Sequence, residues 1–171
     1  IRLSLVGSEM CIRDRSNTTK SELHSLAQAL YAGALYHSGK KEEAAFIFAQ
    51  LCADNAVKRR SNYISFTFST SGNEDETAVS KDNVLKHCKT NREKANVIAA
   101  FALNSTADDL LQLQSIYQLD PSSPMLELLT TREVNKLEEK YLHPSIQKLK
   151  GKKIMYSWSL FGWDAVSYTH L

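Results

Sequence analysis

The chain has 171 residues, 43% of them hydrophobic, and its 21 lysines and arginines nearly balance its 19 aspartates and glutamates. A formal net charge of +2 creates no overall field that would favour nucleic acid or an anionic membrane surface as a partner. We therefore do not expect nucleic-acid binding. No apolar run approaches the roughly 20 residues of a membrane span, so we do not expect a span in this chain either.

The two ends share no periodicity with the rest of the chain. Residues 9–14 can be encoded as GAG ATG TGT ATA AGA GAC, and the reverse complement of that string, with its flanking bases, encodes the closing AVSYTHL. The string resembles the transposon mosaic end used to prepare sequencing libraries. We therefore interpret residues 1–15 and 166–171 as translated adapter, and residues 16–165 as an internal part of a longer reading frame. A signal peptide does not explain the first stretch, because its apolar run is shorter than the required 7 to 15 or so residues.

Without these ends the segment carries 18 basic and 17 acidic residues, since Arg2, Arg13 and Arg15 leave the first count and Glu9 and Asp14 leave the second. The remaining cysteines, Cys52 and Cys88, are far apart in sequence. They therefore define neither a disulfide framework nor a metal-ligand spacing.

Residues 25–56 predict a pair of amphipathic helices. The first apolar stripe repeats at three-and-four spacing and comprises Leu26, Leu30, Tyr31, Ala34 and Leu35. Gly39 then marks a position that tolerates the left-handed conformation after a helix. The second stripe comprises Ala44, Ile47, Phe48 and Leu51. Helices joined by so short a turn pack antiparallel, so we predict an αα-hairpin.

Residues 57–89 are harder to interpret. Ile64, Phe66 and Phe68 alternate, which is typical of a strand, but a lone strand among helices has no partner for its hydrogen bonds. We therefore expect a short helix over residues 57–67, then a polar acidic loop over 69–77. Residues 80–89 predict a capped helix with Val84 and Leu85 facing inward.

Residues 91–124 predict a second hairpin. Its first stripe comprises Ala95, Ile98, Ala99, Ala102 and Leu103, and its second comprises Leu110, Leu113, Ile116 and Tyr117. Asn104 suits the turn, and Thr106 with Asp109 resembles a capping box with Asp in place of Glu.

The last predicted elements follow Asp120 and Pro121. A helix over residues 124–142 carries its inward face on Met125, Leu128, Leu129, Leu137 and Tyr141. His143 and Pro144 end it, and a further short helix is expected over 144–149. The aromatic tail over 154–163 has no clear period and receives no assignment.

The two hairpins resemble each other. When Gly39 is aligned with Asn104, the matched pairs are Ala32 with Val97, Tyr36 with Phe101, Phe48 with Leu113, and Leu51 with Ile116. The first hairpin resembles the tetratricopeptide consensus at Ala32, Tyr36, Gly39, Ala44 and Phe48. The second resembles it at Phe101 and at the LDP of residues 119–121, and departs from it at Asn104 and Asp109. The resemblance implies an all-α fold of antiparallel αα-hairpins stacked as a solenoid.

A second resemblance covers residues 119–144. Their order is similar to a stretch of large bacterial envelope proteins that are built of tetratricopeptide-like helices. It implies an extracytoplasmic location, and it supplies no catalytic residues.

The tetratricopeptide resemblance also implies a binding surface, because such domains line it with the first helix of each hairpin. By position it includes Leu26, Ala29 and Gly33 in the first hairpin, and Phe101 and Ala102 in the second. The candidate partner-binding residues are Tyr36, His37, Asn91, Lys94 and Ile98. A protein or peptide is the implied partner.

No set of residues predicts catalysis, a cofactor or a metal. His87 and Cys88 are adjacent, so on a helix they point in different directions, and a buried thiol between helices is the simpler interpretation. The acidic pairs beginning at Glu42, Asp108 and Glu138 face apart, as helix ends or solvated faces explain. The basic run beginning at Lys58 is explained as a solvated helix end.

Two alternatives to a binding scaffold stay open. In the first alternative, the segment is the non-catalytic helical part of an enzyme. In the second, it is part of an envelope component for solute or glycan uptake, and exposed aromatic residues such as Trp158 and Trp163 would contribute to glycan binding.

Overall fold

The computed structural model describes residues 22–72, 78–103, 105, 107 and 109–142. All regular structure in these ranges is helical, which confirms the all-α prediction at the level of fold class. The helices are α1 (Glu22–His37), α2 (Lys41–Asp54), α3 (Arg59–Thr70), α4 (Lys81–Leu85), α5 (Asn91–Leu103), α6 (Leu110–Leu119) and α7 (Met125–Leu137). A π-helical turn, Glu138–Leu142, continues α7. The predictions for residues 1–15, 73–77, 104, 106, 108, 143–149, 154–163 and 166–171 lie outside the described residues.

The turn between α1 and α2 is formed as the sequence predicts. Gly39 has a φ of 85°, in the left-handed region where a side chain is disfavoured. The Lys40 N–H donates to the Leu35 carbonyl at 3.0 Å, and the Gly39 N–H donates to the Tyr36 carbonyl at 3.1 Å. These two bonds satisfy the last carbonyls of α1 in the manner of a Schellman motif.

The two glycines of this hairpin should respond oppositely to alanine. Gly33 lies inside α1 with open space where an added methyl group would lie, so Gly33→Ala should stabilise the fold by about 0.5–1 kcal/mol. Gly39→Ala forces a side chain into the left-handed region and should cost about 1–2 kcal/mol. Urea unfolding of both variants measures the difference, and two shifts of the same sign would contradict the turn geometry.

Helix α3 occupies the stretch whose alternating pattern is typical of a strand. Phe66 is 1% exposed and packs edge-on against Phe101, with ring centroids 5.0 Å apart. Phe68 is 62% exposed. Residues two apart lie on different sides of a helix but on the same side of a strand, so this contrast follows from helix geometry. The predicted helix is confirmed, and it extends to Thr70.

Helix α4 is shorter than the sequence indicates. The Ser80 hydroxyl accepts a hydrogen bond from the Asn83 N–H at 3.3 Å, as expected of an N-cap. The helix nevertheless ends at Leu85. Val84 is fully buried, as predicted, and Leu85 is partly buried.

Helices α2 and α5 form the centre of the bundle. Helix α2 contacts α1, α3, α4 and α5, and α5 also contacts α4, α6 and α7. Their many buried alanines allow these close approaches. The first core comprises Ala32, Leu35, Ala44, Ala45, Phe48, Ala49, Phe66, Val84, Val97 and Ala100. The second core comprises Cys52, Ala53, Ala95, Ala99, Ala102, Leu103, Ile116, Met125, Leu128 and Leu129.

The outer helices bury less than their apolar stripes predict. In α1 the buried residues are Ala32 and Leu35, whereas Leu26 and Leu30 are exposed. In α6 only Ile116 is buried, and Leu110 and Tyr117 are exposed. Periodicity identified an apolar face on each helix, but neighbouring helices cover only part of it.

No helix within the described ranges combines the length and the apolar composition that crossing a membrane requires.

Candidate functional site

Within the part of the chain that the structure describes, one face of α1 is open along most of its length. Leu26 and Ala29 line a groove with a volume of about 420 Å³, whose other wall is the connection from α2 to α3 and the start of α3. Leu23 and Val57 contribute further apolar surface, and Asn55 and Ser61 contribute polar groups. We call this concavity, with Leu23, Leu26, Ala29, Asn55, Val57 and Ser61 in its lining, the α1 groove.

Gly33 continues the same face toward the C-terminal end of α1. Residues 26, 29 and 33 lie at helical spacing on one side. Among the described residues, no atom lies within 4 Å of the position that a Cβ on Gly33 would occupy, apart from the neighbouring residues and the nearby backbone of the same helix. The helix surface is therefore accessible from Leu26 to Gly33.

Tyr36 and His37 are close together at the end of this face. Their rings meet edge-on with centroids 5.4 Å apart, and the Lys41 ammonium lies 5.6 Å from the centre of the Tyr36 ring. Tyr36 also packs against the first core, while His37 is exposed. The His37 ring is therefore the more solvent-exposed member of this pair.

The other three candidate residues lie on α5. Asn91 and Lys94 are exposed, and Ile98 packs partly buried against the second core. Tyr36 packs against the first core and Ile98 against the second. The candidate residues on α1 and those on α5 are therefore not joined into one cluster by the packing of these two side chains.

A capping box that the sequence analysis missed sets the position of Asn91. The Thr90 hydroxyl accepts from the Glu93 N–H at 3.2 Å, and a Glu93 carboxylate oxygen accepts from the Thr90 N–H at 2.9 Å. The signal is the spacing of Thr90 and Glu93, which matches the capping-box pattern.

A buried ionic cluster, also missed, holds the connection between α5 and α6. It comprises Asp109, Arg132, Glu133 and Lys136, and each side chain is less than 10% exposed. A carboxylate oxygen of Asp109 lies 3.2 Å from the Arg132 guanidinium and 2.5 Å from the Lys136 ammonium. A carboxylate oxygen of Glu133 accepts a hydrogen bond from the Lys136 ammonium at 3.1 Å. With two carboxylates and two cations, the four charges sum to zero.

The same two cations satisfy backbone carbonyls around the end of α5. Arg132 donates to the carbonyls of Ala102 at 2.9 Å and Ser105 at 2.5 Å. Lys136 donates to the Ala107 carbonyl at 2.6 Å. Cations are favourable where a helix ends, because the macrodipole is negative there. The cluster therefore holds the α5–α6 connection against α7, and Asp109 is part of it. Thr106, the partner of Asp109 in the predicted capping box, lies outside the described residues.

Arg59, in the basic run, has a comparable structural role. Its guanidinium donates to the Cys52 carbonyl at 3.0 Å and to the Ala53 carbonyl at 3.5 Å. These bonds cap the end of α2, in agreement with the interpretation of this run as a helix end.

The two described thiols differ in burial. Cys52 is fully buried in the second core, where burial raises the pKa of its thiol from 9.0 to about 12, partly offset by the charge of Arg59. Burial also raises the pKa of the Cys88 thiol, and Glu93 adds to this rise while Lys94 opposes it. Cys52 therefore stays protonated at neutral pH, as a packing residue between helices does.

The Cys52 pKa predicts how stability depends on alkaline pH. Between pH 9 and about 12 the unfolded chain loses the Cys52 proton while the folded chain keeps it, so stability falls as pH rises. Relative to Cys52→Ala, the free energy of unfolding should decline by about 1.4 kcal/mol per pH unit above pH 9 and stay level below it. Urea titrations from pH 7 to about 10.5 test this, and parallel pH profiles would contradict it.

Within the described ranges, no group of three or more His, Cys, Asp or Glu side chains is arranged to hold a metal ion. The chain matched no protein-family model, and searches of curated proteins and of solved structures returned no match either.

Proposed function

We propose that this chain is a tetratricopeptide-like helical segment that binds a protein partner by holding a peptide segment in the α1 groove. The single observation that carries the proposal is the open α1 face, where Leu26 is 52% exposed beside a concavity. Exposed apolar surface next to a groove is typical of a binding site in a helical protein.

The helix contacts support the solenoid arrangement within this proposal. Helices α1 and α2 pack across a short turn, α5 and α6 pack against each other, and α2 contacts α5 between the two pairs. In a solenoid of hairpins, neighbouring units contact each other and leave extended surfaces for binding. The α1 groove is such a surface on the first hairpin.

The composition of the groove favours a peptide with apolar side chains. Leu23, Leu26 and Val57 provide an apolar floor, and Asn55 and Ser61 provide hydrogen-bonding groups beside it. A volume of about 420 Å³ accommodates two or three apolar side chains of a peptide. Polar side chains beside the floor can hydrogen-bond to the peptide backbone between these anchors.

Peptide selection followed by calorimetry tests the proposal. We expect that peptides selected from a random library on the whole chain bind Leu26→Ala about tenfold or more weakly, because truncating a central apolar anchor removes at least 1.4 kcal/mol or so. Leu111→Ala is the matched control, since Leu111 is exposed on α6. Peptides that bind Leu26→Ala as well as they bind the unchanged chain would contradict the proposal.

A further inference from the structure

Helix α6 is more apolar on its outer side than a solvated helix should be. It contains no charged residue, and Ile116 is its single buried residue. Leu111 is 75% exposed and Tyr117 is 60% exposed. A helix without charges on its outer side is typical of a position covered by other protein.

The neighbouring helix continues this apolar surface. Leu113 and Tyr117 of α6 face Leu126 and Thr130 of α7 across an open groove of about 600 Å³. Val134 and Leu137 follow Thr130 at helical spacing, and both are exposed. We call this surface, defined by Leu113, Tyr117, Leu126, Thr130, Val134 and Leu137, the α6–α7 face.

We infer that residues 144–163 of the same chain cover the α6–α7 face. These 20 residues include nine hydrophobic side chains, four lysines and no acidic residue. Apart from the buried ionic cluster, residues 110–142, which contain the face, carry four acidic residues and one basic residue: Asp120, Glu127, Glu138, Glu139 and Lys140. Apolar content and opposite charge thus make the segment complementary to the face.

The segment is also long enough to reach it. The described part ends at Leu142, 16 residues beyond Leu126, which along a helix is a distance of about 24 Å. Trp158 follows Leu142 by the same 16 residues, and an extended chain of that length spans up to about 50 Å. The chain can therefore reverse direction after Leu142 and still reach Leu126.

The covalent link favours this occupant over a second copy of the chain. A tethered segment is present at an effective concentration in the millimolar range for short linkers, which a separate molecule reaches only in concentrated solution. Occupancy by the segment is therefore independent of protein concentration.

The two tryptophans of the chain, Trp158 and Trp163, both lie in the segment, so their fluorescence reports on it directly. We expect acrylamide to quench the emission of the full chain several-fold less than that of a synthetic peptide of residues 144–163. Tyr117→Arg and Val134→Arg should each raise quenching toward the peptide value, because a cation on the face repels the lysines. Leu30→Arg, at an exposed leucine of α1 outside both the α1 groove and the α6–α7 face, is the matched control and should leave quenching unchanged.

Far-UV circular dichroism checks that each variant is folded. Tyr117 and Val134 are both exposed, so we expect the two substitutions to leave the fold intact. Quenching of the unchanged chain equal to that of the peptide would overturn the inference. So would protection that survives in both face variants, or protection that disappears on dilution, which would assign the face to a second copy.

Discussion

Asp109→Ala should destabilise the protein by about 3–5 kcal/mol, the cost of breaking a buried ion pair from one side. The substitution leaves Arg132 and Lys136 buried with Glu133 as their one remaining carboxylate in the cluster. Because a domain of this size has a total stability of about 5–15 kcal/mol, this loss is a large fraction of it. Urea unfolding followed by circular dichroism measures the change.

Two controls separate this effect from charge removal in general. Asp109→Asn keeps one oxygen that can accept from Lys136, so it should cost less than Asp109→Ala. Arg92→Ala breaks an exposed pair with Asp54, at 2.8 Å, and should change stability by no more than about 1 kcal/mol. Equal costs for Asp109→Ala and Arg92→Ala would contradict the burial of the cluster.

Phe66→Ala should also cost about 3–5 kcal/mol, because it leaves a cavity in the first core and removes the edge-on contact with Phe101. Phe68→Ala, two residues away in the same helix, should change stability by less than about 0.5 kcal/mol. The same unfolding measurement applies to both variants.

This pair of phenylalanines also distinguishes a helix from a strand. In a strand, residues 66 and 68 would point to the same side and would cost similar amounts when truncated. Similar losses for the two variants, or a larger loss for Phe68→Ala, would contradict the helical assignment of residues 59–70.

Local signals were sufficient to predict most elements from the sequence. Gly39 predicts the left-handed turn because few other residues adopt that conformation, and its φ of 85° confirms it. The cap at Ser80 was predicted because serine is favoured at the N-cap, where its hydroxyl accepts a backbone hydrogen bond. For α3 the alternation of apolar residues indicated a strand. The helix was favoured only because a lone strand has no partner for its hydrogen bonds, and the structure has a helix there.

The ionic cluster was missed because its residues occupy positions where apolar side chains are expected. Met125, Leu129, Arg132 and Lys136 lie on one face of α7, so two charged residues continue an apolar stripe. Charged residues at inward positions are the signal that could have found the cluster. Their partner Asp109 is more than 20 residues away, and periodicity gives no information on such pairs.

The candidate binding surfaces were predictable only in part. Helical spacing places Leu26, Ala29 and Gly33 on one face, but it does not indicate whether a neighbouring helix covers them. That depends on how α1 and α3 pack, which leaves the groove between them. The same reasoning explains why Leu110 and Tyr117, expected inside, are exposed.

Mapping a bound peptide by amide hydrogen exchange tests the central claim, that the α1 groove is the partner site. With a peptide selected on the whole chain, we predict added protection within residues 22–37 and 55–62, which contain the lining of the groove. Protection should be unchanged in α6 and α7. Added protection confined to residues 110–137, with none in α1, would contradict the claim.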